Sequence, residues 1–511
     1  MGPPKRLSAR AFWGLASWVL PLCVVFVVSP KLLHLLGAER FGVLMIALVT
    51  PLAASQLDFG MSSSAVRRFA GRFQVGQVDA GTTLFTLFIS LLVIGLVLAA
   101  VVWAAAGPVS ATLGFAETLG PVQGPELVKA CAVWIALSLA SLVPGIVARA
   151  AQALILISIV QTVSTLALWV GAWVLLQQGL PLVSIIELGL GLTLFAAGAT
   201  LVALRRRIDW SSPLRFAPGL VTEDARYSAG MFAAQAAGTL VNQGDRMLVA
   251  ALGSPAMAGL YALCVNIANK TVAAVVAITS FVFPHVAGLQ SSGQQDATIG
   301  LVHALDRSVA ALLVPVLVPG LLLAGTFLRL WLGEFATPEL TVTFRILLVA
   351  FAILAFAVPI SNVLVASGKS GMSARYSWLT VAVVFGSMSF AVPRFGLIGA
   401  AGAILLGYST SLLFAASARR TLGIPPAERR GRFWLGLVVG CMAQVALVAT
   451  LGPRVTGWLW LFALGAAAWA TFYLVRTFAA MLTPEEEEFL QRFFAATQPW
   501  LKRGSHHKSP R

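Results

Sequence analysis

"TLFTLFISLLVIGLVLAAVVWAAA", residues 83–106, runs for 24 positions without a charged side chain. At 1.5 Å of rise per residue a helix of this length spans about 36 Å, enough to cross the roughly 30 Å of hydrocarbon in a bilayer. Similar runs recur along all 511 residues, and only 11% of the side chains are charged. A water-soluble chain carries about 25%. Membrane β-barrels show short alternating strands rather than continuous apolar runs, so they are excluded as well. The fold class is an all-α polytopic membrane protein.

Working outward from 83–106, fourteen spans can be drawn: 12–33, 41–58, 83–106, 128–147, 151–176, 183–204, 228–252, 257–283, 308–332, 340–366, 374–392, 397–417, 433–452 and 456–480. The first, behind "MGPPKRLSAR", is longer than the apolar core of a signal peptide and has no small-residue cleavage site after it, so it reads as a retained helix. An even number of spans places both termini on one side. Of the 35 Lys and Arg residues, 26 then fall on that side and seven on the other. The positive-inside rule makes the richer side, and both termini, cytoplasmic. The net charge of +16 is thereby explained by insertion, not by nucleic acid. The four cysteines all lie within apolar spans and form no CxxC or Cys/His cluster, so no metal site is expected.

The longest polar stretch in mid-chain, "RRRIDWSSPLRFAPGLVTEDAR" (205–226), reads as a cytoplasmic linker. It separates an N-terminal lobe, 1–204, from a C-terminal lobe, 227–420, with six spans each. Residues 421–482 add two spans, and 483–511 form a cytoplasmic tail whose "TPEEEE" opening suggests a short interfacial helix. A faint internal echo links "LLGAERFGVLMIAL" (35–48) with "ALGSPAMAGLYALCV" (251–265), as expected of two same-orientation repeats.

No paired carboxylates, Ser/His/Asp neighbourhood, phosphate-binding Gly loop or metal-ligand spacing is present, and no cofactor is implied. What stands out is charge inside the membrane, which costs about 2.5–3.5 kcal/mol at mid-bilayer on insertion scales and usually faces a cavity or a partner. Lys270 is the clearest case, about 20 Å along its span from the outer end, with Asn266 one turn earlier on its face. In "LVNQGDRMLVAAL" (240–252), Arg246 continues a polar stripe of Gln235, Thr239 and Asn242. It either lines a cavity or snorkels outward as part of a structural pair with Asp245. Asp58 ends span 2 and has either an ion-coupling or a structural role. After it, Arg67, Arg68 and Arg72 on an amphipathic stretch, 62–73, either gather anionic headgroups or simply set topology. Ser158, Gln161 and Thr165 form a further stripe, read as interhelical hydrogen bonding.

These residues have a pattern. "LLGAERFGVLMIAL" followed by "LDFGMSSSAVRRFA" (57–70) resembles the N-terminal pattern of bacterial polysaccharide exporters. "NQGDRMLVAALGSPAMAGLYALCVNIANK" (242–270), with Asp-Arg, a Gly turn and Gly-x-Tyr, resembles their spans 7 and 8. "LVASGKSGMSARY" (364–376) and "RFGLIGAAGA" (394–403) match their later turns. The chain thus resembles the Wzx-type flippases of the multidrug/oligosaccharidyl-lipid/polysaccharide exporter superfamily. That resemblance implies two six-helix lobes in a V around a central cavity, with two additional C-terminal helices. It also implies alternating-access transfer of an undecaprenyl-pyrophosphate-linked glycan across the bacterial inner membrane, for O-antigen, capsule or exopolysaccharide assembly. Lys270, Arg246, Asn242, Asn266 and Gln235 become candidates for substrate contact. Membrane lipids and a polysaccharide polymerase are the implied partners. A multidrug or cation antiporter and a lipid II flippase of the same superfamily remain alternatives, as does a membrane glycan polymerase.

Overall fold

The computed structural model describes residues 5–56, 58, 61–62, 65–66, 80–205, 215–279, 295–367, 369–425 and 431–478, and all regular structure among them is helical. In chain order these are α1 (Lys5–Ser55), α2 (Ala80–Ala104), the short α3 (Ala106–Thr112) and α4 (Phe115–Leu119), α5 (Gln123–Ala140), α6 (Leu142–Ala150), α7 (Leu154–Gln177) and α8 (Leu182–Leu204). There follow α9 (Pro218–Thr239), a π turn (Leu240–Gly244), α10 (Asp245–Leu252), α11 (Pro255–Thr279), α12 (Gln295–Leu332), α13 (Pro338–Ala366), α14 (Ser370–Leu422), α15 (Gly431–Leu451) and α16 (Trp458–Phe478). The expected tail helix after 483 and Arg67, Arg68 and Arg72 lie outside the described residues.

Eleven helical stretches among the described residues are long and apolar enough to cross a membrane, against the fourteen spans drawn from the sequence. One source of the difference is that two pairs of expected spans run on without a loop. α1 turns a corner at Gly37 (φ 72°, ψ 167°) and α14 turns one at Gly396 (φ 54°, ψ −132°), backbone conformations that a side chain would strain. Another is the segment 228–252, which is not one regular helix but is broken by the π turn. Other boundaries follow local chemistry. Thr337 caps α13 by accepting a hydrogen bond from Leu340 N (3.1 Å), with Pro338 in the first turn where no N–H is needed.

The helices gather into two compact units, residues 1–263 with 377–403 and residues 264–376 with 404–511. In the first, α5 packs against α1, α2 and α8. Leu87, Leu91, Leu139, Ile146 and Val147 are buried together in the core. Pro51, inside α1, has no N–H to give the carbonyl of Ala47 one turn back. Cys131 of α5 takes its place, its thiol donating to Ala47 O at 3.6 Å. In hydrocarbon no water can satisfy such a group, so a neighbouring helix must.

The second unit applies the same solution twice. α12 carries Pro315 and Pro319, which orphan the carbonyls of Ala311 and Pro315. Tyr473 Oη of α16 donates to Ala311 O at 2.8 Å, and Gln444 Nε2 of α15 donates to Pro315 O at 2.9 Å. Both donors are buried. The two C-terminal helices are therefore hydrogen-bonded to α12 at its prolines. Arg476, counted from sequence among the cytoplasmic cations, is instead fully buried, its guanidinium 5.3 Å from the ring centroids of both Phe433 and Phe472. Aromatic faces attract a desolvated cation by about 2 kcal/mol. Asp306 of α12 and Arg419 of α14 form an ion pair at 2.7 Å.

Candidate functional site

The Asp245–Arg246 pair sits immediately after the π turn, in the first unit. A π turn holds one more residue than an α turn, and such bulges are frequent at functional sites. Its effect on the polar stripe is direct. The spacing Gln235, Thr239, Asn242, Arg246 describes one face only for an unbroken α-helix. Leu240–Gly244 in π geometry shifts the register of Arg246 against Gln235 and Thr239, and along the stripe Gln235 and Asn242 are exposed while Thr239 and Arg246 are buried. The single polar face drawn from sequence is thus divided. Asn242 donates through Nδ2 to Gly238 O at 2.8 Å, within its own helix.

Arg246 is only 7% exposed, which excludes a head group laid out into solvent. Asp245 is buried more deeply still, and its carboxylate is answered on both oxygens. Oδ1 accepts from the backbone N of Arg246 at 2.8 Å, and Oδ2 accepts from Tyr261 Oη at 2.9 Å. Tyr261 belongs to α11, beyond a tight connection. Gly253 ends α10, and Ser254 Oγ caps α11 by accepting from Met257 N at 3.2 Å, with Pro255 in its first turn. The Asp-Arg, Gly turn and Gly-x-Tyr features of the sequence are therefore parts of one arrangement, a helical hairpin clamped by a buried carboxylate–phenol bond.

The glycine of Gly-x-Tyr has its own reason. A Cβ on Gly259 would stand 2.7 Å from Gly42 Cα, and one on Gly42 would overlap the carbonyl of Pro255. The echoing stretches 35–48 and 251–265 thus touch backbone to backbone, as small residues permit between membrane helices.

Lys270 lies farther along α11, in the second unit, and is exposed. It lies within a stretch suited to crossing a membrane, and no described residue pairs with it. Asn266, one turn back, and Asn269 are half-buried. Asp58, in the first unit, is buried and serves as a helix cap. Its Oδ2 accepts from Ser62 N at 3.1 Å, and its carbonyl accepts from Met61 N at 3.0 Å. The stripe of Ser158, Gln161 and Thr165 makes no interhelical hydrogen bond among the described residues, contrary to expectation. Thr165 Oγ1 returns to Gln161 O in its own helix.

The fold is that of polytopic membrane transporters. A solved structure of the lipid II flippase MurJ in an inward closed conformation matches with a TM-score of 0.71 at 11% identity, covering 92% of this chain and 100% of that one. An inward-facing multidrug resistance MATE family transporter of the MOP superfamily matches at 0.59 and 13% identity, over 80% and 98%. The MATE transporter VcmN of Vibrio cholerae matches at 0.50 and 16%, over 80% and 96%. A comparison with curated proteins finds no match. The family described as polysaccharide biosynthesis protein matches residues 32–336, and the chain belongs to it.

Proposed function

We propose that this protein is a flippase that carries an undecaprenyl-pyrophosphate-linked oligosaccharide from the cytoplasmic to the periplasmic leaflet of the bacterial inner membrane, by alternating access. The observation that carries the proposal is Lys270: an ammonium without a partner among the described residues, within an apolar membrane helix of a polysaccharide-biosynthesis family member. A permanently placed cation in such a setting needs a counter-charge, and a pyrophosphate crossing the bilayer needs a cation. Asn266, one turn back from Lys270 on the same helix, is assigned to the same path, and Arg246, Asn242 and Gln235 are kept as candidates for substrate contact within the first unit. The substrate class also follows the family, and the flippase mode follows the fold of the lipid II flippase. In this reading no chemical bond is made or broken, both termini face the cytoplasm, and the delivered glycan passes to a polysaccharide polymerase.

The test is flipping of a fluorescent undecaprenyl-pyrophosphate oligosaccharide in proteoliposomes. The wild type is expected to flip it, Lys270→Ala to slow at least tenfold, and Lys270→Arg to keep most of the rate. Failure of the wild type to move the lipid, together with export of a cationic dye, would replace the flippase with an antiporter.

A further inference from the structure

The first unit contains a cavity of about 700 Å³ lined by α1, α5, α6, α7 and α8. Its walls include residues from Trp134 on α5 to Arg149 on α6. Trp134 is buried, and its Nε1 donates to Thr193 Oγ1 at 2.9 Å. Arg149, also in the lining, is exposed, with no ion-pair or hydrogen-bond partner among the described residues. Its Nη2 is 3.9 Å from where a Cβ on Gly145 would stand, so the guanidinium lies back along α6 beside another residue of the lining.

The lining is rich in neutral hydrogen-bonding groups, among them Ser141, Ser158, Gln161, Thr162 and Ser164, and contains no carboxylate. Thr162 is decisive. It is 4% exposed and lines the cavity, yet its Oγ1 has no hydrogen-bond partner. Buried hydroxyls are ordinarily satisfied, and an orphan facing a polar cavity signals a missing partner. Sites of this size, with a few convergent polar groups, are typical of small-ligand pockets.

A neutral, hydroxyl-rich lining with one guanidinium that has no partner among the described residues suits a sugar that carries an anionic group. We propose that the cavity is a loading site for a glycosyl phosphate, with the sugar against Thr162, Gln161 and Ser158 and the phosphate on Arg149, whose planar fork suits phosphate oxygens. This deepens the proposed function and rests on it: the phosphate of the lipid-linked glycan engages Arg149 as the glycan is loaded. The stripe of Ser158, Gln161 and Thr165 thereby finds its use.

The experiment titrates the purified full chain, in neutral detergent, with glucose 1-phosphate, methyl glucoside and inorganic phosphate, read by saturation-transfer NMR. Glucose 1-phosphate is expected to bind at least tenfold more tightly than either fragment. Arg149→Gln should remove that preference, Arg149→Lys should keep part of it, and Thr162→Val should weaken glucose 1-phosphate while leaving inorganic phosphate unchanged. Unchanged thermal melting checks that each variant is folded. Equal binding of inorganic phosphate, or no binding of glucose 1-phosphate, overturns the site. In a second arm, undecaprenyl-pyrophosphate-linked sugar is added and should displace glucose 1-phosphate. If it does not, a soluble sugar phosphate is the ligand and the loading role falls. Flipping without glucose 1-phosphate binding sinks this inference alone, whereas binding without flipping sinks the proposed function.

Discussion

Asp245 and Lys270 stand on consecutive helices, both charged in apolar surroundings, and the protein treats them in opposite ways. Asp245 is enclosed, with a phenol on one oxygen and a backbone N–H on the other. Lys270 is left open, with no partner among the described residues. A charge whose bonds are all made inside the protein holds helices together. A charge whose bonds are left unmade is available to something that arrives and departs. The difference separates a charge that builds the hairpin from one that can meet a substrate.

The largest effect that would break this comparison belongs to Asp245→Ala. It takes from Tyr261 a hydrogen-bond acceptor and from the Arg246 backbone N–H another, and losing one partner of a buried charge costs about 3–5 kcal/mol. Loss of folded protein in detergent melting is the expected result, and wild-type stability would show that the carboxylate is not structural. Tyr261→Phe removes one hydrogen bond to that carboxylate and should cost about 1.5–3 kcal/mol. Gln444→Leu, in the second unit, leaves the Pro315 carbonyl bare and should cost about 1–3 kcal/mol, read in the same melts. Lys270→Ala should change stability by less than about 0.5 kcal/mol, as for a substitution that breaks no contact, while flipping falls tenfold or more. A marked loss of stability with normal flipping would reverse the roles assigned to the two positions.

Sequence made one part of this arrangement readable and hid the other. Hydropathy and length located the apolar spans, because a bilayer imposes both on every helix that crosses it. Asp245–Arg246 was visible as an anomaly and as part of a family pattern. Its purpose was not, because Tyr261 comes within reach only after the chain has reversed at Gly253 and Ser254. The π turn was equally hidden, since a shift from one helical register to another leaves no mark in a 4, 3, 4 spacing. Arg476 looked like a loop cation because it stands near the end of a span, and only packing reveals Phe433 and Phe472 around it. Arg149 was counted for its sign and not for the cavity it lines, whose walls come from five separate helices.

The donors that answer the prolines of α12 bear on how such a chain can change over time. Pro315 and Pro319 lie on one helix, while Tyr473 and Gln444 lie on two others added after the second set of six expected spans. Neither half of this arrangement is neutral without the other. A lineage that dropped the last two helices would inherit two bare carbonyls in hydrocarbon, and one that replaced the two prolines would leave two buried polar side chains competing for carbonyls already bonded in the helix. The prolines and the terminal helices are therefore matched parts, and the last two helices are bonded to carbonyls left bare more than a hundred residues earlier.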